Sequence, residues 1–483
     1  MNTSKPVRLP TIPEAVVSLL SLVVGIGISI AFFGLDPQIP MLLGVGVAGL
    51  VAWRCGYPYE VIQDAMVKGI ANALPAIMIL LVIGILIGVW IVSGVVPTLL
   101  YYGLTMLSPE IFLPTTLIIC AITSLATGTS WGTSGTIGVA LMGIGAGLGF
   151  PLPVVAGAVL SGAYFGDKMS PLSDTTNLAP AMAGTDLYTH IRHMANTSSI
   201  AFGLTLLIEI VLGLKYSASN ADLGNVNEIL ATLESNFAIN PVMLIPPIVV
   251  LAVSWWKVPA LPGIAMGVLT AALIGFGIQG VSFEAMMNIS FGGYSSETGV
   301  ASVDDLLSRG GMESMLYTIS IVFVAMMFGG IMERTNQLKV LVAKILERAE
   351  STGSLIFSTV MTTLAANVVL CDQYMAIVMG ARTYAEAYAE RGIHAKNLSR
   401  VVEDSGTVTA NLVPWNSGGA YQAGVLGVST LAYLPFNFFC WLSPLVTLAF
   451  GYFNINITRI DDDPGARLDQ AGSAPVAAPI AGK

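Results

Sequence analysis

The sequence predicts an all-α polytopic membrane protein with two inverted-topology repeats, re-entrant hairpins and broken helices, in about ten to thirteen membrane segments. Three observations carry that prediction: the composition, a series of long apolar runs, and two polar interruptions at matching places in the two halves. Of the 483 residues, 54% are hydrophobic and 10% charged, with a mean hydropathy of +0.78. A soluble domain is about one-quarter charged, so this chain has too little polar surface for water and belongs in a bilayer.

The first apolar run, 15–33, is long enough to cross a hydrocarbon core of about 30 Å. It follows Lys5 and Arg8, as a signal peptide would, but it exceeds a normal signal core and Phe32-Phe33-Gly34 is a poor cleavage site. It reads as the first transmembrane helix. Further runs at 39–53, 75–93, 111–126, 195–214, 241–256, 261–278, 315–332, 356–370 and 436–453 bring the spans to ten. Segments 133–165, 375–388 and 421–434 are too Gly-rich, short or polar to count the same way and read as re-entrant hairpins or half-helices.

Two copies of one plan divide the chain. Residues 1–56 are N-terminal transmembrane helices, 57–214 a first repeat, 215–281 a linker loop and connecting helices, 282–455 a second repeat, and 456–483 a polar tail. Setting Gly69 against Gly311 aligns 73–84 with 315–326, Thr123–Ala126 falls near Thr362–Ala365, and an Asn-Leu-x-Pro signature recurs at 177–180 and 411–414. The connector 94–110 has no Lys or Arg, whereas its counterpart carries Arg334, Lys339, Lys344 and Arg348. By the positive-inside rule the copies face opposite ways, with the N-terminus cytoplasmic. His190, Arg192, His193 and an acidic loop at 222–234 fit the same topology.

The polar interruptions are the candidate site. Broken helices offer backbone dipoles and side-chain oxygens near the bilayer midplane, and hard cations favour such oxygen-rich surroundings. In the first copy, Asp174 lies amid Ser173, Thr175, Thr176 and Asn177, punctuated by Gly166, Pro171 and Pro180. A carboxylate there can neutralise a bound cation or take up a proton when the cation leaves. Asp167 is more ambiguous because its neighbour Lys168 offers it a partner. In the second copy, Glu403, Asp404, Thr407, Thr409, Asn411, Trp415, Asn416 and Ser417 form the corresponding cluster. The chosen binding residues are Asp174, Ser173, Thr175, Thr176, Asn177, Asp404, Thr407 and Asn411, with Na+ expected at Asp174 and Asp404. Asp167, Lys168 and Asp372 are coupling candidates, although Asp372 at a helix start serves equally as a dipole partner.

Other features exclude functions. A net charge of -9 argues against nucleic acid. Cys55, Cys120, Cys371 and Cys440 lack disulfide or zinc spacing. Gly128–Gly135 lacks the Lys and strand context of a phosphate loop and reads as a small-residue hairpin tip. Glu209, near the end of its run, reads as snorkelling or paired, and the three histidines as solvated. No enzyme constellation stands out, and no cofactor is expected beyond the transported ions.

The stretches 128–136, 162–180 and 184–190, together with Asn411-Leu-Val-Pro-Trp-Asn416, resemble the NhaC family of sodium/proton antiporters over the whole membrane part. That resemblance implies a secondary transporter of a prokaryotic inner membrane, exchanging Na+, and Li+ as a further candidate, for H+ by alternating access. Its relatives also include exchangers of malate, lactate and amino acids. The alternative is therefore a Na+/H+-coupled exchanger of a small organic anion or amino acid, with Lys168 and half-helix N-termini receiving a carboxylate. Partners are lipid, Na+ and H+, and a homo-oligomer stays open.

Overall fold

A computed structural model describes residues 7–33, 36–220, 223–256, 258–346 and 350–462. Lys257, Asp222, Arg348 and the tail from Asp463 onward lie outside the described residues. Among those described, regular structure is helical, and extended pairing is confined to two isolated bridges, Tyr294–Arg309 and Ile393–Arg459.

Seven described helices are long and apolar enough to cross a membrane, or nine if two bent pairs each count as one span. That is fewer than the ten expected. Gln38–Arg54 has 17 residues. Run 241–256 is a 3₁₀ turn and the short Ile245–Trp255 helix, bent by 99° from the helix before it, and 436–453 is bent by 57° at its start. Pro241, Pro246 and Pro247 lack amide donors there, so a helix starts anew at this point and does not continue from the one before it. The Tyr59–Val92 helix, at 34 residues, extends well before run 75–93 and passes through Pro75. Residues 223–236, expected as a loop, form the helix Leu223–Asn236. Two of the Gly-rich segments also exceed short hairpins: 130–147 is helical throughout, with a π turn at Ser134–Gly138, and Gln373–Glu390 is one helix. Apolar side chains such as Leu43, Leu50, Leu207 and Leu273 point outward, as a lipid-facing belt requires.

The same order of element ends recurs at a spacing of 243 residues. Helices Pro109–Thr127 and Thr352–Leu370 both follow a serine cap and both have 19 residues. Each ends on a left-handed residue, Gly128 (φ 72°) or Cys371 (φ 59°), and then an extended cap, Thr129 or Asp372. Positive-φ glycines recur at Gly149 and Gly392 and at Gly184 and Gly427. Ten-residue helices recur as Asp174–Ala183 and Ser417–Leu426. This register differs from the one read from Asn-Leu-x-Pro: it sets Lys168 opposite Asn411, Asp404 opposite Ser161, and Asp174 opposite Ser417. Short sequence identities drift by a few residues, whereas helix ends are held by backbone geometry.

The leading helices of the two halves, Tyr59–Val92 and Leu316–Arg334, cross antiparallel. Gly69 lies against Met326 and Gly330, while Gly84 lies against Gly311 and Met315. A Cβ on Gly69 would come within 2.0 Å of the Met326 carbonyl oxygen, so only glycine permits this approach.

The segment between Phe283–Gly292 and Leu316–Arg334 is tied by one carboxylate. Asp304 Oδ1 accepts from the Thr298 amide, the Ser296 hydroxyl and the Thr298 hydroxyl, each at 2.7 Å, and Oδ2 from Gly299 N at 3.2 Å. The Thr298 amide above all, then the two hydroxyls, holds this carboxyl below its usual range. A depressed folded value makes the contribution full above the unfolded value of about 3.9 and lost as pH falls through the folded one. Amide exchange at Thr298 and Gly299, corrected for intrinsic rates, should be constant near neutrality and accelerate in acid. Protection unchanged down to the unfolding pH would remove Asp304 as the tie.

Candidate functional site

The first break sits between helices Leu152–Met169 and Asp174–Ala183. Pro171 lacks an amide donor, so carbonyls at the end of the first helix need other partners. Thr176 Oγ1 donates to the carbonyls of Lys168 (3.0 Å) and Asp167 (3.3 Å), and Ser170 Oγ to that of Leu125 (2.8 Å). Asn177 Nδ2 donates to the carbonyls of Ser173 (2.7 Å) and Pro171 (3.0 Å), and Ser173 caps the restarted helix at Thr176 N. Thr176 and Asn177 thus stitch the break together and do not line the cavity beside it.

That cavity, of about 670 Å³, is lined by Asp167, Ser173, Asp174 and Thr175 from the break, by Thr129 and Trp131, and by Asp372 and Tyr374 from the second half. Asp174 is exposed and Asp167 buried. Asp167 Oδ2 accepts from Ser130 Oγ at 2.6 Å. Asp372 is an N-cap, accepting from Met375 N at 3.0 Å, yet also lines the cavity. It thus serves the helix start and borders the cavity at once. Three helix starts, at Ser130, Asp174 and Gln373, lie at the same place, and their amide ends offset carboxylate charge. The three carboxylates are spread around the wall: among the described residues no three His, Cys, Asp or Glu converge closely enough to hold a metal ion.

A second polar layer does not line the cavity. Lys168 and Asp404 form an ion pair with both side chains fully buried. Lys168 Nζ also donates to Ser443 Oγ (2.8 Å) and lies 5.5 Å from the Phe439 ring centre. Asp404 Oδ2 accepts from Thr197 Oγ1 at 2.8 Å and from Thr447 Oγ1. Lys168 therefore pairs across the halves, not with its neighbour Asp167, because consecutive helical side chains diverge. Asp404 belongs to a π turn, Glu403–Thr407, a helix irregularity frequent at functional sites. Glu403 and Thr407 are fully buried beside it. Arg400, one turn earlier, is also buried, donates to Asn456 O at 3.2 Å and lies over Phe450.

Not every chosen residue converges. Asp174 faces the cavity and Asp404 the buried layer, so the structure does not bring the two into one ion site. Asn411 belongs to a separate knot: it donates to Val408 O (3.0 Å), accepts from Asn437 Nδ2 (2.6 Å), and its carbonyl accepts from Tyr433 (2.6 Å). The site gains Ser130, Thr197, Ser443 and Thr447. The last three lie inside apolar runs, where one hydroxyl is an ordinary residue and only its facing partner marks it. The histidines are buried, not solvated: His190 Nδ1 lies 2.9 Å from Ser399 Oγ, His193 Nε2 lies 3.2 Å from Asn397 Oδ1, and His394 caps Lys396.

Residues 7–163 and 162–455 match the Na+/H+ antiporter family. Over 451 residues the chain is 40% identical to the malate-2H+/Na+-lactate antiporter of Bacillus subtilis, covering 93% of this chain and 96% of that protein. It is 39% identical to the Na+/H+ antiporter NhaC of Alkalihalophilus pseudofirmus, over 88% and 92% of the two chains. It is 36% identical to the arginine/ornithine antiporter ArcD of Halobacterium salinarum, over 92% and 93%. These relatives are named as transporters and not as enzymes.

Proposed function

Because the chain belongs to the Na+/H+ antiporter family, we propose that it exchanges Na+ for H+ across a prokaryotic cytoplasmic membrane by alternating access. One observation carries this reading: a carboxylate- and hydroxyl-lined cavity at a helix break, backed by a buried Lys168–Asp404 pair that joins the two halves. Asp167, Asp174 and Asp372, with Ser173, Thr175 and Thr129, supply hard oxygen donors for a partly dehydrated Na+. Convergence of these groups around the ion, and their protonation after it leaves, gives one site two alternating cargoes. The antiparallel leading helices support two oppositely facing repeats, and the Lys and Arg of 334–348 support a cytoplasmic N-terminus.

A second reading, exchange of an organic solute, has one observation in its favour: the cavity far exceeds one ion, and Trp131 and Tyr374 offer it aromatic surface. Lys168, the expected receiver of an organic carboxylate, is committed to Asp404. The acidic wall therefore favours a solute that is cationic or accompanied by cations.

Purified protein in proteoliposomes with an imposed pH gradient separates the readings. Collapse of the gradient by Na+ alone supports sodium/proton exchange, whereas collapse only with malate, lactate or amino acids assigns an organic cargo. Asp167→Asn and Asp174→Asn should each raise the half-saturating Na+ concentration about 10- to 100-fold, since a charged hydrogen-bonding ligand contributes about 1.5–3 kcal/mol. Wild-type Na+ dependence in both folded variants would move the ion site elsewhere.

A further inference from the structure

One acidic side chain takes no part in the cavity or the buried pair. Glu209 lies within the Leu187–Asn220 helix, eleven residues before its end, and is fully buried. It neither reaches an interface nor finds a partner, contrary to the expectation from sequence: neither carboxyl oxygen makes a hydrogen bond among the described residues.

Three contacts place it. Gly213, one turn on, packs against the Glu110 carbonyl and Pro114 of the Pro109–Thr127 helix. Phe202, two turns back, stacks on Phe165 at 4.0 Å, and Gly166 beside that ring packs against Ala121 and Leu125 of the same helix. The Leu187–Asn220 and Pro109–Thr127 helices are therefore antiparallel, which brings Glu209 level with Thr116. Thr116 is also fully buried, with an unbonded hydroxyl. A polar group buried without a hydrogen bond among the described residues forfeits its hydration, which native structures rarely tolerate.

Charged groups on the packed elements do not neutralise Glu209. The facing helix offers Glu110 and Cys120, and Leu152–Met169 offers Tyr164, Asp167 and Lys168, the last held by Asp404. Asp174, Lys396, Arg400, Cys440 and Tyr452 sit on the other neighbours, and among the described residues none of them bonds to either Glu209 oxygen. An ionised carboxylate left buried without a partner is costly. Its helix also carries Thr197, which donates to Asp404. The same helix therefore links Glu209 to the ion pair, so a displacement of the helix at Asp404 would carry Glu209 with it.

We propose that Glu209, buried without a partner on the helix that also holds Asp404 through Thr197, is a second proton-binding site, separate from the cavity, which loads and unloads a proton within the transport cycle. The proposal rests on the proton-coupled reading above. The test measures ²²Na+ flux and the H+:Na+ ratio, from the opposing gradients at which net flux vanishes, in wild-type and Glu209→Gln proteoliposomes. The expected result is persistent Na+ flux, one fewer proton per Na+, and a flattened pH profile. A wild-type ratio and profile in Glu209→Gln overturns the proposal, as does a folded variant with no Na+ flux at all, which would assign Glu209 to packing. Should Glu209→Gln fail to fold, Glu209→Asp decides: a displaced pH profile supports the site and a wild-type profile overturns it. Absence of Na+-driven proton movement in the wild type would instead overturn the proton-coupled reading, and this proposal with it.

Discussion

Replacing Lys168 with Met should abolish exchange and lower stability by about 3–5 kcal/mol, the cost of leaving one charge of a buried pair without its partner. Asp404 would keep only the hydroxyls of Thr197 and Thr447, with Arg400 the next cation along its helix. Adding Asp404→Leu should restore most of the lost stability, because replacing a whole buried pair by apolar groups is often neutral or better. Exchange should stay absent in the double variant. Thermal unfolding in detergent and vesicle transport, measured on the single and double variants, separate the two roles. A double variant as unstable as Lys168→Met would mean that the pair does not act as a unit; one that transports would mean that the pair is dispensable to the cycle.

Gly166→Val should damage both stability and exchange by a different route. Gly162 and Gly166 lie one turn apart on Leu152–Met169 and face the Pro109–Thr127 helix. A Cβ would stand 2.3 Å from the Leu117 carbonyl oxygen at Gly162 and 2.2 Å from that of Ala121 at Gly166. The obstacle is backbone, so no rotamer relieves it and the helices must separate. Overpacking of this kind costs about 1–3 kcal/mol, and the displaced turn carries Asp167 and Lys168 with it, so exchange should fall together with the unfolding temperature. Gly203→Ala is the control: nothing lies within 4 Å of its added Cβ, and alanine in a helix interior gains about 0.5–1 kcal/mol over glycine. Equal stability of the two variants would show that the close approach is not required.

Helix existence was legible because apolar runs of spanning length have few other uses. Helix ends were less so. The apolar run 75–93 starts at Pro75, yet the helix begins at Tyr59, since proline is tolerated where neighbouring helices hold the chain. The break at 170–173 was legible from Pro171 and the hydroxyl-rich sequence, but the roles within it were not. Ser173, Asp174, Thr175, Thr176 and Asn177 look alike as oxygen donors. Helical rotation turns Asp174 and Thr175 to the cavity and turns Thr176 and Asn177 to the orphan carbonyls.

By itself the sequence determined the solvent, the helical class and the place of the first break, because these follow from local composition and periodicity. Tertiary structure alone decided which groups meet. Lys168 and Asp404 are 236 positions apart, Thr197 and Thr447 are single hydroxyls inside runs of spanning length, and Glu209 appears ordinary until both helix faces around it are closed. The physical reason is that a charge or hydroxyl in the bilayer takes its meaning from the partner that replaces its water, and chain order does not specify that partner.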